Sequence, residues 1–439
     1  MTQQLQLFPN TTVDRHFEKN IRQNGYDLRE VDAGDITFQS GQSESVHRWY
    51  RLTPSFAPAV VRHFLAEFAV TASCLVLDPF SGRGTTAIEC QKHGVPAVGF
   101  EINPLLHEVG RCSVIWRPQR STLFARYVED ISRNVRDARQ MDVHELLEET
   151  GVSLPDIHHV FRWWQPDVLK DLLVARETMR RAEFCKIRHY LWLAVNTAAL
   201  DCANIHRNHP TITFDDDHDR KIDAAATIAG EVFKIQEDLE SLTQEEIQHS
   251  RLASMELRNS CRQISVNGAC KPKITHVITS PPYPNRFSYV HQTRPQLHFM
   301  ELIQGRSAAT DIDLETIGGT WGRATSNLMK GEVEVPPEIA QVLDYSNELR
   351  GKSRLMCNYA TKYFLDLNTH LQELRKVVDK GFRGAYVVGN SRLSGVEIYT
   401  EGILAKLFES NGFVVDEIVV FRRRGGRQRL YECAVCVRI

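Results

Sequence analysis

The sequence predicts an α/β fold in which a mostly parallel, ligand-binding sheet is interrupted by a large, mainly helical insertion. Three observations predict it. Cys74–Thr86 reads as a short apolar strand, a Gly-x-Gly turn and the start of a helix, and a second apolar strand follows at Val95–Phe100. The run Ile274-Thr-His-Val-Ile278 reads as another buried strand, closed by the proline-rich break Thr279-Ser-Pro-Pro-Tyr283. Between them, residues 112–252 carry apolar positions at helical spacing with no comparable strand pattern.

The chain of 439 residues is long enough for two or three structural units with at least one large core. Its 42% hydrophobic and 25% charged content is ordinary for a globular protein, and a net charge of −2 does not by itself favour a nucleic-acid partner. Ten scattered cysteines, with no signal peptide, fit a reducing cytoplasm. No segment approaches the roughly 20 apolar residues of a membrane span.

Residues 1–46 are polar and weakly periodic, an N-terminal extension expected to pack on or cap another part. Arg48–Phe56 is aromatic and proline-broken, and runs into an amphipathic helix over Ala59–Phe68. In the unit after it, the first strand ends at Asp78, Thr85–His93 reads as a helix closed by Gly94, and the second strand ends at Glu101. The interval from Asp78 to Glu101 is close to the roughly 20 residues expected between a nucleotide-site glycine turn and a ribose-binding carboxylate. A dinucleotide site wants G-x-G-x-x-G, and position 87 is Ala. An acid at the first turn repels a pyrophosphate but suits an amine and a sulfonium, which favours S-adenosylmethionine over NAD.

Helical patterns fill Ser121–Glu149, Pro166–Arg181, Cys185–Asp201 and Asp223–Ser250. Within them, Cys202-Ala-Asn-Ile-His206-Arg-Asn-His209 has metal-ligand residue types but no second pair at finger spacing, so a polar loop is the preferred reading and no metal site is assigned. Phe161-Arg-Trp-Trp164 could stack bases, although a Trp pair entering a helix is more often core. Strands return at Met255–Ser260. Residues 305–355, with Gly318–Gly322, read as loop and a candidate for substrate contact. Tyr363–Val378 and Ile398–Ser410 read as helices; Ala385–Gly389, Phe413–Phe421 and Tyr431–Arg438 read as strands. The arginine-rich run Arg422–Arg429 reads equally as a phosphate-binding loop or a solvated charge run. Cys433 and Cys436 point to opposite faces of a strand, which disfavours a joint role.

Two prolines in Thr279–Tyr283 fix an extended backbone, and the end of a parallel strand is where open α/β sheets bind ligands. A serine, a proline-held carbonyl and a flat ring could accept hydrogen bonds from an exocyclic amine while stacking on the ring that carries it. Alone, the pentapeptide reads equally as a turn.

Taken together, Asp78-Pro-Phe-Ser-Gly-Arg-Gly-Thr-Thr86, Glu101 and Thr279-Ser-Pro-Pro-Tyr283 resemble the S-adenosylmethionine-dependent DNA amino-methyltransferases, which methylate cytosine N4 or adenine N6. The resemblance covers roughly 47–111 and 253–439. It implies a Rossmann-like seven-stranded methyltransferase sheet with the final strand antiparallel, split into a cofactor-binding part (47–111) and a catalytic part (253–439), with the 112–252 insertion for target recognition. It implies that Asp78, Pro79, Phe80, Ser81, Gly82, Gly84, Thr85 and Thr86 form the cofactor loop, with Glu101 on the ribose hydroxyls and Asn103 beside it. Thr53, Pro54 and Phe56 correspond to the segment over the methionine moiety. Asn259 stands where many relatives place an acid that meets the adenine amine. Ser280, Pro281, Pro282 and Tyr283 correspond to the catalytic loop. The implied partners are double-stranded DNA and a cognate restriction endonuclease.

The chemistry suits these residue types. The lone pair of an exocyclic amine is delocalised into its ring. Accepting its N–H groups at Ser280 Oγ and the Pro281 carbonyl favours a pyramidal nitrogen aimed at the methyl group. Tyr283 would stack on the base, which must leave the duplex. Methylation at cytosine C5 would need a Pro-Cys pair, and the chain has none. Serine at 280 tilts the choice toward cytosine N4, with adenine N6 as runner-up. An RNA base methyltransferase and a non-catalytic DNA-binding subunit are the remaining readings.

Overall fold

The computed structural model describes residues 13–31, 40–52, 55, 57–181, 186–206, 212–215, 220–258, 264, 274–305, 307–319, 323–331, 333–424 and 430–439. Its main sheet has eight strands: β1 (Leu28–Glu30), β2 (Val76–Asp78), β3 (Ala97–Glu101), β4 (Ala253–Leu257), β5 (Ile274–Thr279), β6 (Val378–Gly389), β7 (Val414–Arg424) and β8 (Leu430–Arg438). They lie in the order β1-β7-β8-β6-β5-β2-β3-β4. Pairs among β2, β3, β4, β5 and β6 are parallel. The final strand β8 runs antiparallel between β6 and β7, as expected. The seven expected strands gain an eighth, β1, which the N-terminal extension lays parallel to β7 with Leu28 opposite Ile418.

Strand order reverses between β2 and β5: β3 and β4 continue on one side, β6 on the other. Their carboxyl tips are neighbours, and at such a switch point a doubly wound sheet opens its ligand crevice. The glycine turn after Asp78 and the loop after Thr279, far apart in the chain, thereby meet.

The principal helices are α1 (Arg15–Gln23), α2 (Pro58–Glu67), α3 (Thr85–Lys92), α4 (Pro104–Ser113), α5 (Ser121–Asp137), α6 (Pro166–Arg181), α7 (Arg188–Asp201), α8 (Ala224–Ser241), α9 (Tyr289–Phe299), α10 (Arg354–Val377) and α11 (Thr400–Ser410). Side chains alternate along each strand. On β8, Cys433, Val435 and Val437 join one core, while Ala434 and Cys436 join the other, so the two cysteines do face opposite ways. One core holds Phe17 of α1, Tyr359, Tyr363 and Leu371 of α10, and Phe408 of α11. The other joins Phe64, Ile88 and Leu105 of α2–α4 to Tyr127, Leu169, Leu191 and Ile228 of the insertion without a break. The helical insertion is therefore a further layer on one face of the sheet. Helix α7 is buried nearly all round, as expected of a helix packed on several sides. Asp238 of α8 fastens this layer to the 46–49 segment: it accepts from the Val46 amide at 2.9 Å, Trp49 Nε1 at 2.8 Å and Arg48 Nε at 2.9 Å.

Trp163 and Trp164 are core, the reading preferred for a Trp pair entering a helix, with Trp164 Nε1 donating to the Ala199 carbonyl at 2.7 Å. Other sequence readings change. The 305–355 stretch is not loop throughout: it holds short helices at Ala308–Glu315, Arg323–Lys330, Pro337–Ala340 and Ser346–Lys352. Helices of one or two turns are too short to display a 3.6-residue period against their glycine and proline breaks. Helix α10 begins at Arg354, ahead of Tyr363, and β6 starts directly after it, ahead of Ala385. Cys202 is buried just past α7, and His206 pairs antiparallel with Thr213 in a two-residue ladder; His209 lies outside the described residues. Among the described residues, no helix is long and apolar enough to cross a membrane.

Candidate active site

The turn after β2 needs its glycines. Gly82 and Gly84 both have positive φ, +53° and +89°, where side chains with a Cβ are disfavoured. At Gly84 a Cβ would also stand 3.2 Å from the Gly110 Cα, so glycine lets α3 and α4 close on each other. Helix α3 starts at Thr85 immediately after this turn.

Across the switch point opens a cleft walled by the carboxyl ends of β2, β3 and β5, where open α/β sheets bind their ligands. Pro79, Phe80, Ser81, Gly82 and Thr85 line it from the β2 turn, and Glu101 and Asn103 from the tip of β3. Ser280 and Pro282 line it from the loop after β5. The cofactor-type and catalytic-type motifs thus share one cavity.

Glu101 is the organising acid. Oε2 accepts the Gly82 amide and Oε1 the Asn103 amide, each at 2.8 Å. Each oxygen keeps a second lone pair for a ligand hydroxyl. Burial pushes this carboxyl up to about 7, opposed by those two amides and assisted by the nearby Asp78. Asn103 uses its side chain structurally: Oδ1 caps α4 at the Leu105 and Leu106 amides, and Nδ2 donates to Thr293 at 2.8 Å.

Asp78 is placed differently from a ligand-contacting residue. It is 1% exposed and does not line the cavity. Its Oδ1 accepts the Thr279 hydroxyl at 2.5 Å and the Phe80 amide at 3.1 Å, so it pins the tip of β2 to the tip of β5. Oδ2 is buried without a hydrogen bond, the nearby Thr86 hydroxyl being turned to the Ile278 carbonyl at 3.1 Å. Burial pushes the Asp78 carboxyl up to about 6, with the Thr279 hydrogen bond pulling the other way. Gly84 and Thr86 likewise shape the turn from behind the cavity wall.

In the catalytic-type loop, Ser280 is half-buried at the cavity and Pro281 is buried behind it. The Pro282 carbonyl is held by Tyr363 Oη at 2.7 Å. Tyr283 is half-buried beside the cavity rather than in its wall. The Ser280 hydroxyl donates to Tyr283 Oη at 3.5 Å, and that hydroxyl donates to Glu432 Oε1 at 3.3 Å. The Arg424 guanidinium lies over the Tyr283 ring, 5.0 Å from its centroid. Arg422 Nε donates to Glu432 Oε2 at 2.6 Å. Two arginines of the basic run thus turn inward to the loop, at odds with a wholly solvated run; 425–429 lie outside the described residues.

Thr53, Pro54, Phe56 and Asn259 also lie outside the described residues. Leu52 and Ser55, from the first of those segments, line the cavity, and Ser55 Oγ donates to the Leu52 carbonyl at 2.9 Å. Sequence reasoning did not single out Tyr289, Arg83, Ile102 or the residues Glu315–Ile317, all in the cavity wall. The last three fall in the 305–355 stretch, whose substrate-side placement was expected but whose contributing residues were not.

No protein-family model matches the chain, and no solved structure does. It is 22% identical over 437 residues to the type II methyltransferase M.BsoBI of Geobacillus stearothermophilus, spanning 89% of this chain and 83% of that protein. The type II methyltransferase M.AvaI of Anabaena variabilis is also 22% identical, over 94% of this chain and 87% of its own length. M.MvaI of Kocuria varians, again a type II methyltransferase, is 19% identical over 88% and 86%. The chain is thus similar, along nearly its whole length, to type II methyltransferases.

Proposed function

We propose that this chain is a site-specific DNA methyltransferase that transfers the methyl group of S-adenosylmethionine to the N4 amine of a cytosine flipped out of double-stranded DNA, as the modification partner of a restriction endonuclease. The observation that carries the reading is the shared cavity, where Phe80, Gly82 and Glu101 face Ser280 and Pro282. The likeness to type II methyltransferases supports the wider class.

The residues fit the cofactor. Glu101 offers lone pairs to ribose hydroxyls, Gly82 lets a ligand approach the backbone of the turn, and Phe80, Phe100 and Ile102 supply apolar wall for a flat ring. When bound, the sulfonium supplies an electrophilic methyl group. The chain's part is orientation: Ser280 Oγ, in the cavity wall, accepts one amine N–H, while the Pro281 carbonyl for the second N–H and the Tyr283 ring for stacking on the base are assigned from the motif, since both residues lie just outside that wall. Holding the nitrogen in line supplies several kcal/mol of the barrier reduction, by the usual scale of such effects.

Ser280→Ala is expected to leave S-adenosylmethionine affinity within about twofold and lower the methyl-transfer rate by about a hundredfold, as for loss of one polar contact made to the reacting group. Titration calorimetry and tritiated-methyl transfer to DNA from an unmodified host measure the two quantities. Native-read sequencing of that DNA identifies the base: N4-methylcytosine supports the reading, and N6-methyladenine moves the assignment to the runner-up. Label in RNA alone sinks the DNA assignment, and full activity in Ser280→Ala sinks the amine contact.

A further inference from the structure

The loop after β5 ends in a directional hydrogen-bond line. Ser280 donates to Tyr283, Tyr283 donates to Glu432, and Glu432 also receives Arg422. A carboxylate can only accept, so it forces the Tyr283 proton toward itself. The Tyr283 oxygen is then left to accept from Ser280, and the serine proton points away from the cavity. The lone pairs of Ser280 Oγ are what remain for a ligand. An exocyclic amine needs acceptors there, because a hydroxyl proton aimed at the nitrogen would compete for the lone pair that attacks.

We propose that Glu432 is a positioning residue that sets this polarity, making Ser280 an acceptor through the Tyr283 hydroxyl; this rests on the amine-directed reading of the site and deepens it. The surrounding packing keeps the line in place. Glu432 is 6% exposed on β8, one strand beyond β6 from the catalytic loop. Arg424, over the face of the Tyr283 ring, is itself fixed by the carbonyls of Tyr431, at 3.1 Å from Nε, and Asn390, at 2.5 Å from Nη2. Gly389 at the tip of β6 leaves its space: a Cβ there would stand 2.2 Å from Arg424 Nη2.

Glu432→Gln is the discriminating change, because it keeps the shape and alters only which atoms donate. Arg422, a donor, draws the amide oxygen to itself, which leaves the amide NH₂ facing Tyr283. The line then reverses and turns the serine proton into the cavity. Tyr283→Phe keeps the ring but cuts the line, so Ser280 is free to rotate. With full-length protein, tritiated S-adenosylmethionine and DNA from an unmodified host, Glu432→Gln should lower the single-turnover rate by about tenfold or more, the scale of one charge-assisted hydrogen bond. Tyr283→Phe should lower it by about threefold, a few tenths of such a bond. The double variant should return to the Tyr283→Phe level, with cofactor affinity unchanged in all three. A merely structural role for Glu432 gives losses that multiply in the double variant, and that result, or full activity in Glu432→Gln, overturns the proposal. A parent protein that binds cofactor but methylates no DNA overturns the reading beneath it and this inference with it.

Discussion

At the scale of single residues, Asp78 sits behind the cavity wall and ties two strand tips together. Its carboxylate spans the two strand tips, and a hydrogen bond to a charged group is worth about 1.5–3 kcal/mol. Its burial also makes stability depend on pH. The carboxyl lies at about 6 in the fold against 3.8 unfolded, so between those values the native state holds the proton more tightly. That contribution is complete below the unfolded value and is lost as pH rises through about 6. Glu101, raised from 4.5 to about 7, acts in the same direction. The melting temperature of the cofactor-free protein should therefore fall between about pH 4 and 7 from these two groups, and Asp78→Asn should flatten the slope. An unchanged slope in differential scanning fluorimetry would show that Asp78 is not the titrating group. Asp78, Glu101 and Ser280 were legible in the sequence because each closes an apolar strand. Glu432 was not: it is 149 residues from Tyr283, and only the β6–β8 pairing brings them together.

At the scale of elements, the βαβ unit and the loop after β5 stood out because strand, glycine turn and helix succeed one another without interruption. The strands beyond β5 were less sharply bounded, since α10 passes into β6 with no glycine or proline between them. The tip of β6 is where packing tolerance is smallest. Gly389→Ala should displace the Arg424 guanidinium from the Tyr283 ring. It should destabilise the fold by about 1–3 kcal/mol, the usual cost of overpacking, and lower methyl transfer more than cofactor affinity. Chemical denaturation and the two binding and rate measurements check it, and an alanine variant with parental rate would mean that Arg424 has another resting place.

At the scale of the molecule, an insertion of helices proved to be a layer of the main core. Arg176 of α6 is fully buried and reaches the Phe299 carbonyl at the end of α9 at 2.5 Å, and Asp238 holds the segment leading to the cavity. Unfolding of the whole chain should accordingly be one cooperative transition when monitored by both tryptophan fluorescence and far-ultraviolet dichroism. Two separated transitions would mean that the helical layer is an independent unit. This continuity was invisible in the sequence because helical periodicity states which face is apolar but not what covers it.

The polar extension contributes one short strand, and its position has a further consequence. Strand β1 closes the outer edge of β7, and Arg29 pins it there through Glu417 and Glu67, both at 2.7 Å. An exposed sheet edge is a template on which another chain can add a strand. Removing residues 1–31 would uncover the backbone of Ile418–Val420, an apolar stretch, and the core face under Phe17 and Ile21 of α1, while deleting no residue that lines the cavity. The truncated protein should retain cofactor binding when fresh yet self-associate with time and concentration, which light scattering would detect. Leu28–Glu30 thus occupy an edge on which a second chain could otherwise add a strand.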